Sequence, residues 1–188
     1  MKKQMLLKDL TVGMEFEALG HKFVLLDTIF YDKYYCIFNE ILITMPFYNK
    51  QKPRKNKLDF SNSDIITWLD YTFLETLYKS GADSNNIINF NVSLNYLINS
   101  FEYNTCQVKL GLLSLEEFAE YYDIIPTADY DWWLSTTLQT PKKSYRDVVY
   151  VDTKDNWGFS DCANILGVRP TITFNGDFKV YVEDDEEE

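Results

Sequence analysis

The sequence contains few of the residues that mark fibrous, low-complexity or disulfide-stapled chains. Its 188 residues include seven glycines, five prolines, three cysteines and one histidine. This scarcity of Gly and Pro excludes a collagen-like or low-complexity composition. No apolar run approaches the length of about 18 residues that a membrane-spanning helix needs. The N-terminal lysines precede no sustained apolar stretch, so a secretory signal is not expected.

The cysteines and the histidine give no sign of a metal or redox centre. Cys36, Cys106 and Cys162 are an odd, widely spaced set, which predicts reduced and mostly buried thiols. None of them pairs with His21 or with another cysteine at zinc-ligand spacing. We therefore expect no metal and no cofactor. His21 is predicted to lie exposed in a hairpin turn.

Negative charge exceeds positive charge, and much of the excess is at the C-terminus. The formal charge is −11, and residues 183–188 supply six carboxylates. A chain of this kind offers no basic face for phosphates, so direct nucleic-acid binding is not expected. Acidity can instead present a nucleic-acid-like surface to a basic protein. A purely solubilising role for the charge is the simpler interpretation.

Aromatic residues are abundant, with 14 Tyr, 13 Phe and four Trp. A chain of this length and composition can bury a proper core. We expect one globular domain over residues 1–182, followed by an acidic tail over residues 183–188.

Hydrophobic patterns predict strands at both ends of the chain and helices between them. Ser63 and its neighbours supply an N-cap for a helix that stops at Gly81. Ser114 and Glu117 form a capping-box pattern for a second helix that ends before Pro126. The predicted class is α+β, with mixed or antiparallel strands, two main helices and long loops. Strands are predicted at 12–16, 23–26, 34–38, 40–45, 108–113, 132–135, 148–152, 169–174 and 178–182.

Trp132 and Trp133 are the most prominent candidates for a binding role. Neighbours in a strand point to opposite faces. We therefore expect one ring in the core and the other at the surface, where it would stack on a ligand or anchor an interface. Arg169 is predicted to be a structural ion-pair donor to Asp131 or Asp152.

Three loops are predicted to form the working surface: residues 49–60, 82–105 and 153–166. The first is basic, and Lys50 and Arg54 are its candidate contacts with an anionic partner, although a solvated loop is the favoured interpretation. The second is predicted to be irregular, with a short helix near residues 94–98. In the third, the candidate binding residues are Asp155, Asn156 and Trp157. The acidic and amide oxygens there are the nearest approach to a calcium-type cluster, but a polar loop explains them better.

Several motifs, in order, resemble a widespread and functionally uncharacterised bacterial and phage domain family. The resemblance covers roughly residues 10–175. The closing motifs also look like those of the formylglycine-generating-enzyme and C-type-lectin-like fold, in which paired tryptophans precede a terminal Gly-x-Arg strand. This chain departs from the family pattern at Ser135-Thr136-Thr137, where the family has Arg-Ser-Pro. The matching segments are Val12-Gly13-Met14, Ser63-Asp64-Ile65, Trp68-Leu69, Leu112-Leu113-Ser114-Leu115-Glu116-Glu117, Asp131-Trp132-Trp133-Leu134, Tyr150-Val151-Asp152 and Gly167-Val168-Arg169-Pro170.

The resemblance implies a C-type-lectin-like scaffold that displays loops for binding, encoded by a phage or mobile element. The expected function is a non-enzymatic interaction protein that recognises a protein or surface ligand. It would act in the host cytoplasm or in the virion, without a membrane. The alternative is an acidic inhibitor that mimics nucleic acid and blocks a host defence protein such as a CRISPR nuclease. A degenerate formylglycine-generating-type enzyme is the most distant hypothesis, since Cys106 and Cys162 lie in no recognisable motif.

Overall fold

The computed structural model describes residues 1–29, 32–49, 59–94, 97, 105–138 and 146–183. Most of the strands form two sheets, one of seven strands and one of five, and two more form a small ribbon. The predicted α+β class with antiparallel and mixed sheets is confirmed. Within the described ranges, no helix is both long enough and apolar enough to cross a membrane.

The seven-stranded sheet is antiparallel throughout and brings the two ends of the described chain together. Its first strand pairs with its last strand in sequence. In spatial order it contains β1 (Lys2–Leu6), β14 (Lys179–Glu183), β2 (Glu15–Ala18), β3 (His21–Ile29), β4 (Lys33–Phe38), β13 (Thr171–Asn175) and β8 (Leu110–Gly111). β14 thus includes Glu183, the first residue of the predicted acidic tail.

His21 begins β3, and the prediction that it lies exposed in a turn is wrong. Leu19 and Gly20 alone form the turn, with φ angles of 53° and 82°, as expected for a two-residue hairpin loop. The His21 ring packs edge-on against Phe38 and Phe73, with centroids 5.4 and 5.5 Å away. Because the turn has only two residues, His21 already belongs to β3, where its ring contacts these two aromatic side chains.

The five-stranded sheet is mixed, because β9 and β12 run parallel. One of its strands, at 157–161, lies within residues 153–166, which are predicted to be a loop, and another begins at residue 165. Gly158 and the polar residues at 160, 161 and 164 obscure the strand pattern there. In spatial order it contains β11 (Trp157–Asp161), β10 (Asp147–Val151), β9 (Trp132–Thr137), β12 (Ile165–Val168) and β5 (Ile43–Pro46).

The segment 82–105, predicted to be irregular, contains the first strand of a two-stranded ribbon, and the second strand begins at its last residue. β6 (Phe90–Ser93) pairs antiparallel with β7 (Thr105–Val108). The short helix predicted near residues 94–98 falls largely outside the described residues.

One continuous helix of 16 residues follows the N-cap Ser63. It consists of α1 (Asp64–Trp68), a π-helical turn (Leu69–Phe73) and α2 (Leu74–Lys79). The Ser63 hydroxyl accepts a hydrogen bond from the Ile66 amide at 3.1 Å, which confirms the predicted cap. Two short 3-10 turns occur at Leu7–Asp9 and Phe60–Asn62.

The second helix, α3 (Leu115–Glu120), has the predicted start but is only six residues long. The Glu117 amide donates to the Ser114 hydroxyl at 3.2 Å, and the Ser114 amide donates to the Glu117 carboxylate at 2.7 Å. The capping box is therefore confirmed. The prediction of two main helices is wrong, because α3 ends where Tyr121 leaves the helical conformation and the chain turns to bury Ile125.

Buried side chains form two clusters, one on each side of the central strands. The first core contains Trp133, Val148 and Val168 together with the phenylalanines of β3 and β4. The second core contains Trp132 and Leu134 with Phe118 of α3, and alternate residues of β3 and β4 also enter it. The central strands of both sheets are therefore covered on both faces.

Glu117 connects α3 to the seven-stranded sheet through a mostly buried carboxylate. The Tyr35 hydroxyl donates to this carboxylate at 3.2 Å. Burial raises the pKa of Glu117, and the hydrogen bonds from Ser114 and Tyr35 oppose this effect. The carboxyl group is thus more easily protonated in the folded protein than in the unfolded chain.

We expect Glu117→Gln to remove the contribution that this carboxyl group makes to the pH dependence of stability. A carboxyl group with a raised folded-state pKa stabilises the fold below its unfolded pKa, and this contribution is lost as the pH rises through the folded pKa. Glutamine retains the capping box but does not titrate. The measured quantity is the urea-derived free energy of unfolding of the variant minus that of wild type. This difference should become more positive between about pH 4 and about pH 7.

The matched control is Glu120→Gln, which changes an exposed carboxylate in the same helix. The pH-dependent change should be larger for Glu117→Gln than for this control, because Glu117 is the buried carboxylate of the two. A constant or decreasing difference for Glu117→Gln would contradict the assignment.

Candidate functional site

Trp132 and Trp133 are both fully buried. They point to opposite faces of β9, as predicted, since one ring lies in each core. The expectation that one ring is exposed is wrong, because β9 lies between β10 and β12 and both of its faces are covered. The Trp133 indole N–H donates to the Met45 carbonyl at 3.0 Å. Neither ring is at the surface for a ligand to stack upon.

Arg169 is fully buried and pairs with no carboxylate of the described residues, so the predicted ion pair with Asp131 or Asp152 is wrong. Those two carboxylates instead accept hydrogen bonds from backbone amides of residues 153, 154 and 156. Burial lowers the pKa of the Arg169 guanidinium to about 10.

The partners of Arg169 are backbone carbonyls, a side-chain amide and an aromatic ring. Its guanidinium donates to the carbonyls of Phe38 at 2.8 Å and Pro126 at 2.7 Å, and to the Asn39 side chain at 3.3 Å. The guanidinium carbon lies 5.3 Å from the centre of the Trp132 ring, within the range of a cation–π contact. Arg169 thus fixes the segment that precedes β9.

Gly167 makes the second connection between the two closing motifs. Its amide donates to the Asp131 carbonyl at 2.7 Å. A Cβ at this position would lie 2.8 Å from Ile41 Cγ2 and 3.1 Å from that same carbonyl oxygen. Only glycine allows β9 and β12 to approach this closely without displacement.

Asp155 and Asn156 belong to the turn between β10 and β11. The Asp152 carboxylate accepts from the amides of Lys154 and Asn156 at 2.8 and 3.0 Å, and these hydrogen bonds lower the pKa of Asp152. The Thr127 hydroxyl donates to the Asp155 carboxylate at 2.5 Å. These oxygens therefore order the turn, and among the described residues no group of three or more His, Cys, Asp or Glu is placed to hold a metal.

Trp157 is the aromatic candidate binding residue that lies at the surface. It is 51% exposed, and Phe159 on the same strand is 42% exposed. The two rings meet edge-to-face with centroids 5.9 Å apart. They lie opposite Val151 and Val149, on the face that forms the second core. We call Trp157 and Phe159 the aromatic edge.

An acidic surface lies beside the aromatic edge. Residues 110–141 contain six carboxylates and no Lys or Arg. The connection between α3 and β9 is held against the β10–β11 turn by the Thr127–Asp155 hydrogen bond and by the Thr153 amide, which donates to Asp131 at 3.3 Å. Exposed members of the connection and of α3 are Glu116, Glu120, Tyr122, Asp123, Asp129 and Tyr130.

The remaining candidates are Lys50, Arg54 and the cysteines. Lys50 and Arg54 lie outside the described residues. All three cysteines are free, with Cys36 and Cys162 buried. Burial raises the pKa of the Cys36 and Cys106 thiols, which disfavours the reactive thiolate.

The sequence interpretation selected Trp157 but missed Phe159 and the exposed tyrosines at 122 and 130. The alternation in Trp157-Gly158-Phe159 was the available signal, since it places two aromatic residues on one face of a strand. In comparisons with known proteins, no family model, no curated protein and no solved structure matches this chain.

We expect Arg169→Met to lower the free energy of unfolding by about 3 kcal/mol or more, because it leaves buried carbonyls without donors. Methionine replaces part of the volume but provides no hydrogen bond. The measurement is urea denaturation followed by tryptophan fluorescence. Arg146→Met is the control, since among the described residues the Arg146 side chain makes one long hydrogen bond, to the Cys162 sulfur at 3.8 Å. Equal losses in the two variants would contradict the role assigned to Arg169.

Proposed function

We propose that the protein is a non-enzymatic binding module that docks a protein partner on the aromatic edge. The observation that carries the proposal is the exposure of Trp157 beside Phe159 on an outer strand. Exposed tryptophans that can be desolvated by a partner are the residues most enriched among energetic hot spots of interfaces.

The other tryptophans make this exposure distinctive. Trp132 and Trp133 are fully buried, and Trp68 is partly buried and stacks on Phe73 with ring centroids 5.2 Å apart. Trp157 thus has the largest exposed fraction of the four. A half-exposed tryptophan ring next to a second exposed aromatic side chain is typical of a surface that binds a partner.

The proposal extends to the scaffold and its source. We infer a divergent C-type-lectin-like scaffold, encoded by a phage or mobile element and acting in a host cytoplasm or virion. The support is the packing of Arg169 on Trp132, which unites the paired-tryptophan motif with the Gly-x-Arg motif on which the resemblance rests. A degenerate formylglycine-generating-type enzyme is disfavoured, because such chemistry needs reactive thiols, whereas Cys162 is buried and burial raises the pKa of the Cys106 thiol.

We expect the double substitution Trp157→Ser with Phe159→Ser to abolish partner capture while leaving the fold intact. Both side chains are about half exposed, so their loss removes more interface area than core area. The measurement is affinity capture from host lysate with wild type and variant as bait, compared by mass spectrometry. Tyr71→Ser is the control, since Tyr71 is 78% exposed on the π-helical turn. A partner set shared by all three baits would refute the proposed surface.

The second candidate function is an acidic inhibitor of a basic nucleic-acid-binding protein. It is favoured by the acidic surface, whose exposed carboxylates are Glu116, Glu120, Asp123 and Asp129. In this case the negative charges, rather than the aromatic rings, would provide the affinity.

The two candidates differ in their response to charge removal. Replacing Glu120, Asp123 and Asp129 with their amides should weaken an inhibitor's binding strongly and reduce its salt dependence. The same substitutions should change binding through the aromatic edge only modestly. Partner affinity measured at low and high salt for these variants decides between the two functions.

A further inference from the structure

The hydrogen bonds that flank the β10–β11 ladder show which backbone groups of β11 are used. The Cys162 amide donates to the Arg146 carbonyl at 2.7 Å, and the Asp152 amide donates to the Asn156 carbonyl at 2.8 Å. Five residue pairs lie between these two points in continuous antiparallel register. Hydrogen-bonded and non-hydrogen-bonded pairs alternate in such a ladder.

This alternation turns the backbone of the aromatic edge outward. Gly158 and Ser160 pair with Tyr150 and Val148 at positions where both amide and carbonyl groups point into the ladder. Trp157 and Phe159 occupy the positions between them, so their N–H and C=O groups point away from β10. Among the described residues, β11 pairs only with β10. The aromatic edge therefore offers both rings and unpaired backbone groups.

The other outer strands of the two large sheets carry features that discourage pairing with another chain. β1 exposes Lys2 and Lys3, β5 ends at Pro46, and β8 has only two residues. Lysine, proline and shortness are the usual protections of sheet edges. β11 has five residues without Lys, Pro or a bulge, and its one charged residue, Asp161, is the last residue of the strand. It is the outer strand that lacks these protections among those the structure describes.

We propose that β11 accepts an extended segment of a partner protein as an added strand, and that this segment carries Lys or Arg where it meets the β10–β11 turn. The inference rests on the proposed function and specifies the chemistry of its partner. Strand addition combines backbone hydrogen bonds with side-chain contacts on alternate residues. Apolar residues of the added strand would lie beside Trp157 and Phe159, because adjacent strands are about 4.8 Å apart.

Charge at the turn selects a basic segment. Asp131, Asp152 and Asp155 converge there through the hydrogen bonds to Thr127 and the turn amides. None of these three carboxylates takes part in an ion pair between described residues. Lys154 is the one cation within the turn, and the Arg169 guanidinium also interacts electrostatically with Asp155. Three carboxylates still outnumber these two cations, and Lys or Arg side chains of a partner would complement the remaining negative charge.

The test uses two synthetic peptides on the intact protein. In the first peptide, lysine alternates with valine and threonine; in the second, glutamate replaces every lysine. Amide hydrogen exchange and chemical shifts are followed by NMR. We expect the lysine peptide to protect the amides of Trp157 and Phe159, with little change at Gly158 and Ser160. We also expect it to bind about tenfold more tightly than the glutamate peptide at low salt.

The matched variant introduces an edge-protecting lysine into β11. Phe159→Lys places on β11 the kind of residue that protects β1 and should eliminate binding of the lysine peptide, while Tyr71→Lys should leave it unchanged. Unaltered thermal unfolding of both variants shows that the fold is retained. If Phe159→Lys unfolds, the amide protection pattern of the wild-type protein decides alone. Equal binding of both peptides, or protection away from β11, would overturn the proposal.

Two further outcomes separate this inference from the proposed function. If partner capture depends on Trp157 and Phe159 but the lysine peptide leaves their amides unprotected, strand addition is wrong and the docking surface stands. If the peptide binds as expected but the double substitution leaves the set of captured partners unchanged, the proposed function is wrong. Protection of the same amides by self-association would identify a second copy of the chain as the occupant and refute a basic partner segment.

Discussion

The contact between Arg169 and Trp132 is the constraint on which the second core depends. One guanidinium holds the carbonyls at the end of β4 and in the connection before β9, and it lies over the Trp132 ring. A buried cation is costly unless its donors are satisfied, and here carbonyl oxygens and a ring replace the carboxylate. Three distant segments of the chain are thereby fixed relative to each other, including the connection that carries the acidic surface.

Local signals accounted for the caps and most strands. Ser63 and the pair of Ser114 with Glu117 act within one helical turn, so their effect is readable from sequence alone. The same locality explains the error in α3. The length of α3 depends on how the following segment packs Ile125 into the second core. No sequence signal close to α3 predicts this long-range packing.

The candidate site was only partly predictable for a related reason. Adjacent tryptophans correctly indicated opposite faces, but sequence could not show that both faces of β9 are covered. Gly158 and its polar neighbours interrupt the alternation of residues 157–161, so the sequence predicts a loop there. In the structure this segment is a strand, and Tyr150 packs over the space that Gly158 leaves. Trp157 was selected by its residue type. Its position on an outer strand emerges only from long-range pairing.

The aromatic edge owes its exposure to the same core that buries the tryptophan pair. Val151 and Val149 place their side chains in the second core, and Trp157 and Phe159 continue that face beyond the last strand. A sheet ordinarily ends in short, charged or proline-containing strands, as β1, β5 and β8 do here. A local departure from a rule that the rest of the chain follows is where function is expected. β11 presents two aromatic rings on an outer strand without lysine or proline, next to a turn that has more carboxylates than cations. These features fit a surface that a partner protein covers.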